Sequence, residues 1–359
     1  MLGSGRILAP CVAMLAIGCG LVGGRSPHVH NVNHLAFEGP ELSVVTMNLL
    51  FSDPLGGDGE EAGETLTARL HLIEQELIAT QPDIVALQEV SISRPHGDVL
   101  AGLAERLNQA LSQEGIRYNW VYSSAHVDPT GLTGFEEGEG LLSRYEIVAA
   151  RDLVYDAQGA ILSLCGIPLL RESRKALHVT IRGRDDDLDV VATHLFPGRG
   201  KVNDDQVAEL LETIAPGDDS GMKLVLGDLN STPDSPAIGR LRDAGFVDAW
   251  PAANPDGPPG WTYGHLPLSS RAAAASERID YIFVHGARVR NAELFLDRAI
   301  PSPSASEPDR WLWASDHSGV TATVVQEGSG SAGRTVRPSG SPQSARRRNK
   351  KMSLRLGAE

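Results

Sequence analysis

Asp228 and Asn230 stand two residues apart in Leu226-Gly-Asp-Leu-Asn230, at the end of the apolar run Met222–Leu226. Such a run reads as a buried strand. An acid and an amide just past it point the same way if the chain stays extended, because side chains alternate. Gly227 is expected to permit a sharp turn or the close approach of a substrate. Ser231-Thr-Pro-Asp-Ser-Pro236 follows as a turn-and-cap cluster that opens a helix near Ala237. Alone the pair is ordinary, since Asp and Asn are common turn formers. Six further polar side chains at or beside strand ends change its meaning: Asn48, Glu89, His194, Asp280, Asp316 and His317. Binding and reacting groups collect where a rigid sheet ends.

The chemistry of the set is coherent. Glu89 with Asn48, and Asp316 as a further contact, offers hard oxygen ligands without sulfur. That set suits Mg²⁺, with Mn²⁺ or Ca²⁺ as alternatives, rather than structural zinc. His317 beside Asp280 gives an imidazole oriented by a carboxylate, although Asp280 also follows Arg278 closely enough for a plain ion pair. Asp228 can align and deprotonate a water, while Asn230 and His194 donate to a phosphorane-like transition state. Such a set hydrolyses phosphate esters in one in-line step without a Ser or Cys nucleophile.

Strands are expected at Glu41–Asn48, Asp83–Val90, Tyr118–Ser124, Gly140–Arg144, Glu146–Val154, Arg278–Val284 and Gly319–Val325. Leu177–Arg182 and Leu188–Leu195 form a pair around the acidic turn at 184–187. Helices are expected at Thr67–Ala79, Val99–Gln113, Asp204–Ile214 and 237–244. Residues 52–64, 127–139 and 251–260 read as loops. Strands alternating with helices, with hairpins among them, predict two mixed sheets packed face to face with helices outside, an α/β four-layer sandwich.

The ends differ from the body. Residues 1–24 carry Arg6 and an apolar, small-residue run, which fits an export leader. Leu15-Ala-Ile-Gly-Cys19 resembles a lipoprotein cleavage box, so the leader ends either in lipidation at Cys19 or in plain cleavage. Either outcome predicts an exported protein, secreted or held at a bacterial cell envelope. Cys165 is then alone in the mature domain, which excludes an internal disulfide and a cysteine metal site there. Residues 25–40 read as a linker, 41–326 as the catalytic domain, and 327–359 as a disordered basic tail. The whole chain has a net charge of −14; the tail holds eight Lys and Arg against two acids, or +6, leaving −20 on the rest. A body so acidic is poorly equipped for non-specific duplex binding, which rests on many contacts from Lys and Arg to phosphate.

The ordered series Thr-x-Asn48, Gln-Glu89, Leu-Ser-Arg144, Thr-His194-Leu, Gly-Asp228-Leu-Asn230, Arg-Ile-Asp280-Tyr and Ser-Asp316-His317 resembles the endonuclease/exonuclease/phosphatase superfamily over about residues 42–326. Glu146 stands where that family commonly has Pro after Ser-Arg-Tyr. The resemblance implies a DNase I-like sandwich with a divalent-metal site at one edge. It implies Glu89 as principal metal ligand with Asn48 beside it, and Asp316 as a second metal contact. Asp228 would align the water, Asn230 and His194 would contact phosphate, and Asp280 would support His317. The superfamily spans nucleases, sphingomyelinases and inositol phosphate phosphatases. Its substrates here are expected to be phospholipid head groups or small phosphodiesters acted on by a monomer at a membrane surface, with DNA or RNA, or an inactive binding scaffold, as the alternatives. Trp311 and Trp313 stand ready to stack on substrate or meet a membrane interface, or to pack as ordinary half-buried aromatics.

Overall fold

Many strands of this chain are apolar on both faces, and the layering explains why. The computed structural model describes residues 26–51, 60–93, 96–127, 134–164, 167–214, 221–302 and 311–326. One sheet runs His28–His30, Asn119–Val127, Glu136–Ser143, Ile84–Ser93, Glu41–Asn48, Gly319–Gln326, Ala287–Phe295 in spatial order. The other runs Val247–Asp248, Asp280–His285, Lys223–Asp228, Leu188–His194, Lys175–Ile181, Ile147–Val154. Each sheet is mixed: Glu41–Asn48 pairs in parallel with Ile84–Ser93, and Leu188–His194 with Lys223–Asp228, while their other neighbours are antiparallel.

Three apolar clusters fill the three interfaces of a four-layer sandwich. Leu42, Val44, Ile84 and Leu141 of the first sheet meet Leu177, Leu224 and Ile282 of the second. On the first sheet's outer face Val45, Val85 and Leu142 pack under helices Glu60–Thr80 and Val99–Ala110, through Ile73, Leu77, Leu100 and Leu103. On the second sheet's outer face Val191, Val225 and Phe283 pack under Lys201–Ile214 and Pro236–Asp243, through Val207, Leu210, Ile238 and Leu241. Ser235 caps the last of these helices, accepting from the Ile238 N–H at 3.4 Å with Pro236 in its first turn.

Several sequence expectations are corrected. The segment read as a linker belongs to the domain: His28–His30 pairs with Trp120–Tyr122, and Phe37 is buried in the inter-sheet core. Its exposed His and half-buried Asn residues gave it linker composition, which an edge strand also tolerates. The Gly- and Glu-rich stretch read as loop through residue 139 becomes strand from Glu136, with Glu136, Glu137 and Glu139 buried. Strand Ala287–Phe295, absent from the sequence reading, closes one edge of the first sheet. The leader, Cys19, Cys165 and the basic tail lie outside the described residues. Among the described residues no helix is long and apolar enough to cross a membrane.

Gly227 does not make a turn. It lies within the strand opposite Thr193, at φ 150°, where a Cβ would sit 1.9 Å from the Thr193 carbonyl oxygen. The glycine lets two parallel strands close up directly beneath His194 and Asp228. Gly227→Ala is therefore expected to cost about 3 kcal/mol of unfolding free energy through the clash and the forced backbone angle. Urea denaturation checks this; an unchanged midpoint would contradict the crowding.

Candidate active site

Period-two alternation builds the site. Along Glu41–Asn48, the residues Leu42 and Val44 face the other sheet, so Asn48 faces it too. The same count from Ala192, Leu226 and Ile282 puts His194, Asp228 and Asp280 on that inner face. Counting back from Leu141 does the same for Glu137 and Glu139. The inter-sheet layer is thus apolar through its middle and polar at one end. Glu89 arrives there by a bulge: Leu87 pairs with Gly140 and Val90 with Gly138, so two residues oppose one. Glu89 takes φ 54°, which re-aims its carboxylate.

The polar end is closely bonded. The Asn48 amide donates to Glu89 Oε1 at 3.0 Å and to Asp228 Oδ2 at 3.2 Å, bridging two carboxylates. Its Oδ1 accepts from the Leu50 N–H at 2.9 Å, which fixes the orientation of the amide. Asn48 thus acts as a donor between the acids, where the sequence suggested an oxygen ligand. His194 Nε2 lies 3.4 Å, and His317 Nε2 3.8 Å, from the same Asp228 Oδ2. His317 Nδ1 is 2.8 Å from Asp280 Oδ2, and His317 Nε2 is 4.0 Å from Asp316 Oδ1. The chain does not stay extended past Asp228. Asn230 turns at φ 45°, gives its N–H to Asp228 Oδ1 at 2.9 Å and spends one amide hydrogen on the Leu195 carbonyl at 3.0 Å. Seven of the eight side chains singled out in the sequence are linked through these contacts, and Asn230 joins them through its backbone N–H.

A model of the endonuclease/exonuclease/phosphatase family matches residues 30–317. The chain belongs to that family. Members of the family are phosphoester hydrolases and generally depend on a divalent metal. Solved structures share its DNase I-like fold. A family protein from Bacteroides thetaiotaomicron is 16% identical, with a TM-score of 0.60, covering 80% of this chain and 95% of that one. One from Leptotrichia buccalis is 17% identical, with a TM-score of 0.55 over 79% of this chain and 99% of its own. A mannosyl-6-phosphatase from B. thetaiotaomicron is 16% identical, again at 0.55, over 79% and 99%. No curated protein matches the sequence.

Burial and neighbouring charges set the protonation of these groups. Burial, then Glu137 and Asp316, push Glu89 up to about 7, against the hydrogen bond from Asn48. Burial and Asp280 push Asp228 up to about 7, against His317, the Asn230 N–H and Asn48. Burial opposes charge on His317, but Asp280, Asp228 and Asp316 outweigh it and hold the imidazole well above its ordinary value. Burial, Arg174 and His317 hold His194 well below, so it is neutral. Asp228, Asp280 and His317 present ligand atoms within 4.8 Å of one another. The His317 ring already occupies the space between those acids, and its charge balances theirs. Glu89 stays raised by Glu137 and Asp316 even with His317 and Arg69 nearby, and that repulsion among acids is what a hard divalent ion would relieve.

A carboxyl whose folded pKa exceeds its unfolded value contributes stability that is complete below about pH 4 and is lost as pH rises through the folded value. For Glu89 and Asp228 that window closes near 7. His317 acts in the same direction at higher pH. Saturating Mg²⁺ is expected to raise Tm more at about pH 8 than at about pH 5.5, since only the ionised acids attract it. Thermal melts at both values check this, and equal shifts would contradict it.

Sequence reasoning missed several supports. Thr262 Oγ1 accepts from the N–H groups of Ile279 and Asp280, both at 3.2 Å, which anchors the start of the Asp280 strand. Arg278 does not pair with Asp280; it grips Asp248 through two 2.9 Å bonds, leaving Asp280 to His317. Trp313 is buried and stacks on His265 at 3.7 Å, while Trp311 lies under Arg271. Tyr263, whose ring centre is 4.8 Å from that of His317, is the aromatic beside the site.

Proposed function

We propose that the protein is a divalent-metal-dependent phosphodiesterase acting on phospholipid head groups or small phosphoesters. The observation that carries this reading is the setting of Asp228. It is a buried carboxyl near neutral pKa, ringed by Asn48, His194, His317 and the Asn230 N–H. A base so poised removes a proton from water efficiently near pH 7. Asp228 orients the water and takes its proton as the new P–O bond forms opposite the ester oxygen that leaves. His317, charged and held by Asp280, donates from Nε2 to the phosphoryl group. Neutral His194 and the Asn230 amide supply further donors. Glu89 and Asp316 are the residues that would hold Mg²⁺, which when bound polarises the phosphoryl oxygen and offsets the leaving oxygen's charge.

Two features support the substrate class. The body outside the tail carries −20, from −14 − 6, which disfavours long polyanions. The loop that holds Tyr263 also exposes Trp261 at 48% and Leu266 at 51%, giving the rim apolar character. The leader-like residues 1–24 support an exported protein. A parallel assay on sphingomyelin or phosphatidylcholine vesicles, plasmid DNA and inositol phosphates tests the reading. Turnover of the lipid head group or the small esters is expected. Preference for DNA moves the assignment to a nuclease, and no turnover with any divalent ion leaves a binding scaffold of the same fold.

A further inference from the structure

Arg69 lies on helix Glu60–Thr80, 4% exposed, on the stripe that also buries Leu66, Ile73 and Leu77. Its guanidinium ends against three carbonyl groups. One terminal nitrogen donates to Leu49 O at 2.6 Å and Ala314 O at 3.2 Å, the other to Leu50 O at 3.0 Å. These carbonyls belong to the two segments that flank the site, just after Asn48 and just before Asp316-His317.

The peptide groups concerned are bonded at both ends. The Leu49 carbonyl is held by Arg69, and the N–H of that same peptide, on Leu50, donates to Asn48 Oδ1 at 2.9 Å. The Leu50 carbonyl is held by Arg69, and the N–H of its peptide, on Phe51, donates to Glu89 Oε2 at 3.1 Å. Between them Leu50 is kept at φ 54°, a left-handed conformation that an unsupported Leu rarely adopts. Across the site, Ala314 leads into Ser315, whose hydroxyl accepts from the His317 N–H at 3.2 Å.

We propose that Arg69 is a positioning residue which, through two peptide groups, orients the Asn48 amide and the Glu89 carboxylate and ties them to the Asp316–His317 segment. It touches none of the four side chains by a hydrogen bond of its own. Its cation also faces Glu89 and Asp316 electrostatically, so it helps keep two acids together before any metal arrives. The proposal rests on the hydrolase reading for its kinetic test but on geometry for its existence.

Arg69→Lys keeps the charge but cannot reach three carbonyls at once. In the full-length protein, kcat on bis(p-nitrophenyl) phosphate is expected to fall roughly 50-fold, the scale of lost ligand-orienting contacts. KM for the ester is expected to stay within about threefold. The Mg²⁺ concentration for half-activation should rise, and the Mg²⁺-induced Tm shift should shrink. A variant that melts earlier yet keeps wild-type kcat and Mg²⁺ response overturns the proposal, since that is a structural role alone. Hydrogen exchange on the wild type gives a second reading that needs no variant to fold. The Leu50 and Phe51 amides should be protected, and open-loop exchange at both overturns it. An inactive wild type whose Mg²⁺-induced shift is lost in Arg69→Lys would uphold Arg69 while removing the hydrolase reading.

Discussion

Glu89→Gln is expected to lower kcat by roughly 10³-fold, the weight of the several kcal/mol of charge stabilisation that a bound metal supplies. The Mg²⁺-induced rise in Tm should vanish with it. The metal-free variant is nevertheless expected to be more stable than wild type at about pH 8. Glu89 is ionised there against burial, Glu137 and Asp316, which is why its pKa stands near 7, and a neutral amide escapes that cost, which outweighs the one acceptor, toward Asn48 or the Phe51 N–H, that it gives up. Gain of stability with loss of activity distinguishes a site residue from a structural one. Melts with and without Mg²⁺, beside initial rates, check both parts. A variant that still turns over and still gains Tm from Mg²⁺ would remove Glu89 from the metal site.

His317→Ala should cost roughly 10³-fold in kcat, within the range for a positioned proton donor. It should also cost about 3 kcal/mol of stability, because Asp280 is fully buried and the imidazolium is its charge partner. Asp280→Asn separates the two effects. It removes the buried charge and keeps the shape, so most of the stability should remain. The His317 pKa then loses its main support, and the alkaline limb of the rate profile moves to lower pH. Wild-type turnover in His317→Ala, or an unmoved limb in Asp280→Asn, would contradict the roles assigned.

Much of this site was legible because strand ends carry a clear pattern. Asn48, His194 and Asp228 each end an apolar run and Asp280 begins one, and alternation alone places all four on the inner face. What escaped notice depends on geometry that composition hides. Glu136-Glu-Gly-Glu139 has the make-up of a turn, yet it is strand, and its acids are buried because the inner layer is polar at that end. Glu89 reads as a simple strand end, but a bulge aims it. Arg278 seemed the partner of Asp280 because it is near in sequence, whereas Asp248, 30 residues away, takes it. Arg69 was readable in principle. An arginine three residues after Leu66 and four before Ile73 lies on the buried stripe of its helix, and a cation there needs partners.

On the proposed reading, the polar end of the inter-sheet layer drives water onto phosphorus with the help of a divalent ion. The most direct measurement is the initial rate on bis(p-nitrophenyl) phosphate as Mg²⁺ is titrated into EDTA-treated, full-length protein. A rate that is absent in EDTA, rises saturably with Mg²⁺ and is lost again in Glu89→Gln is the predicted result. Hydrolysis that proceeds unchanged in EDTA, or in Glu89→Gln, would contradict the account.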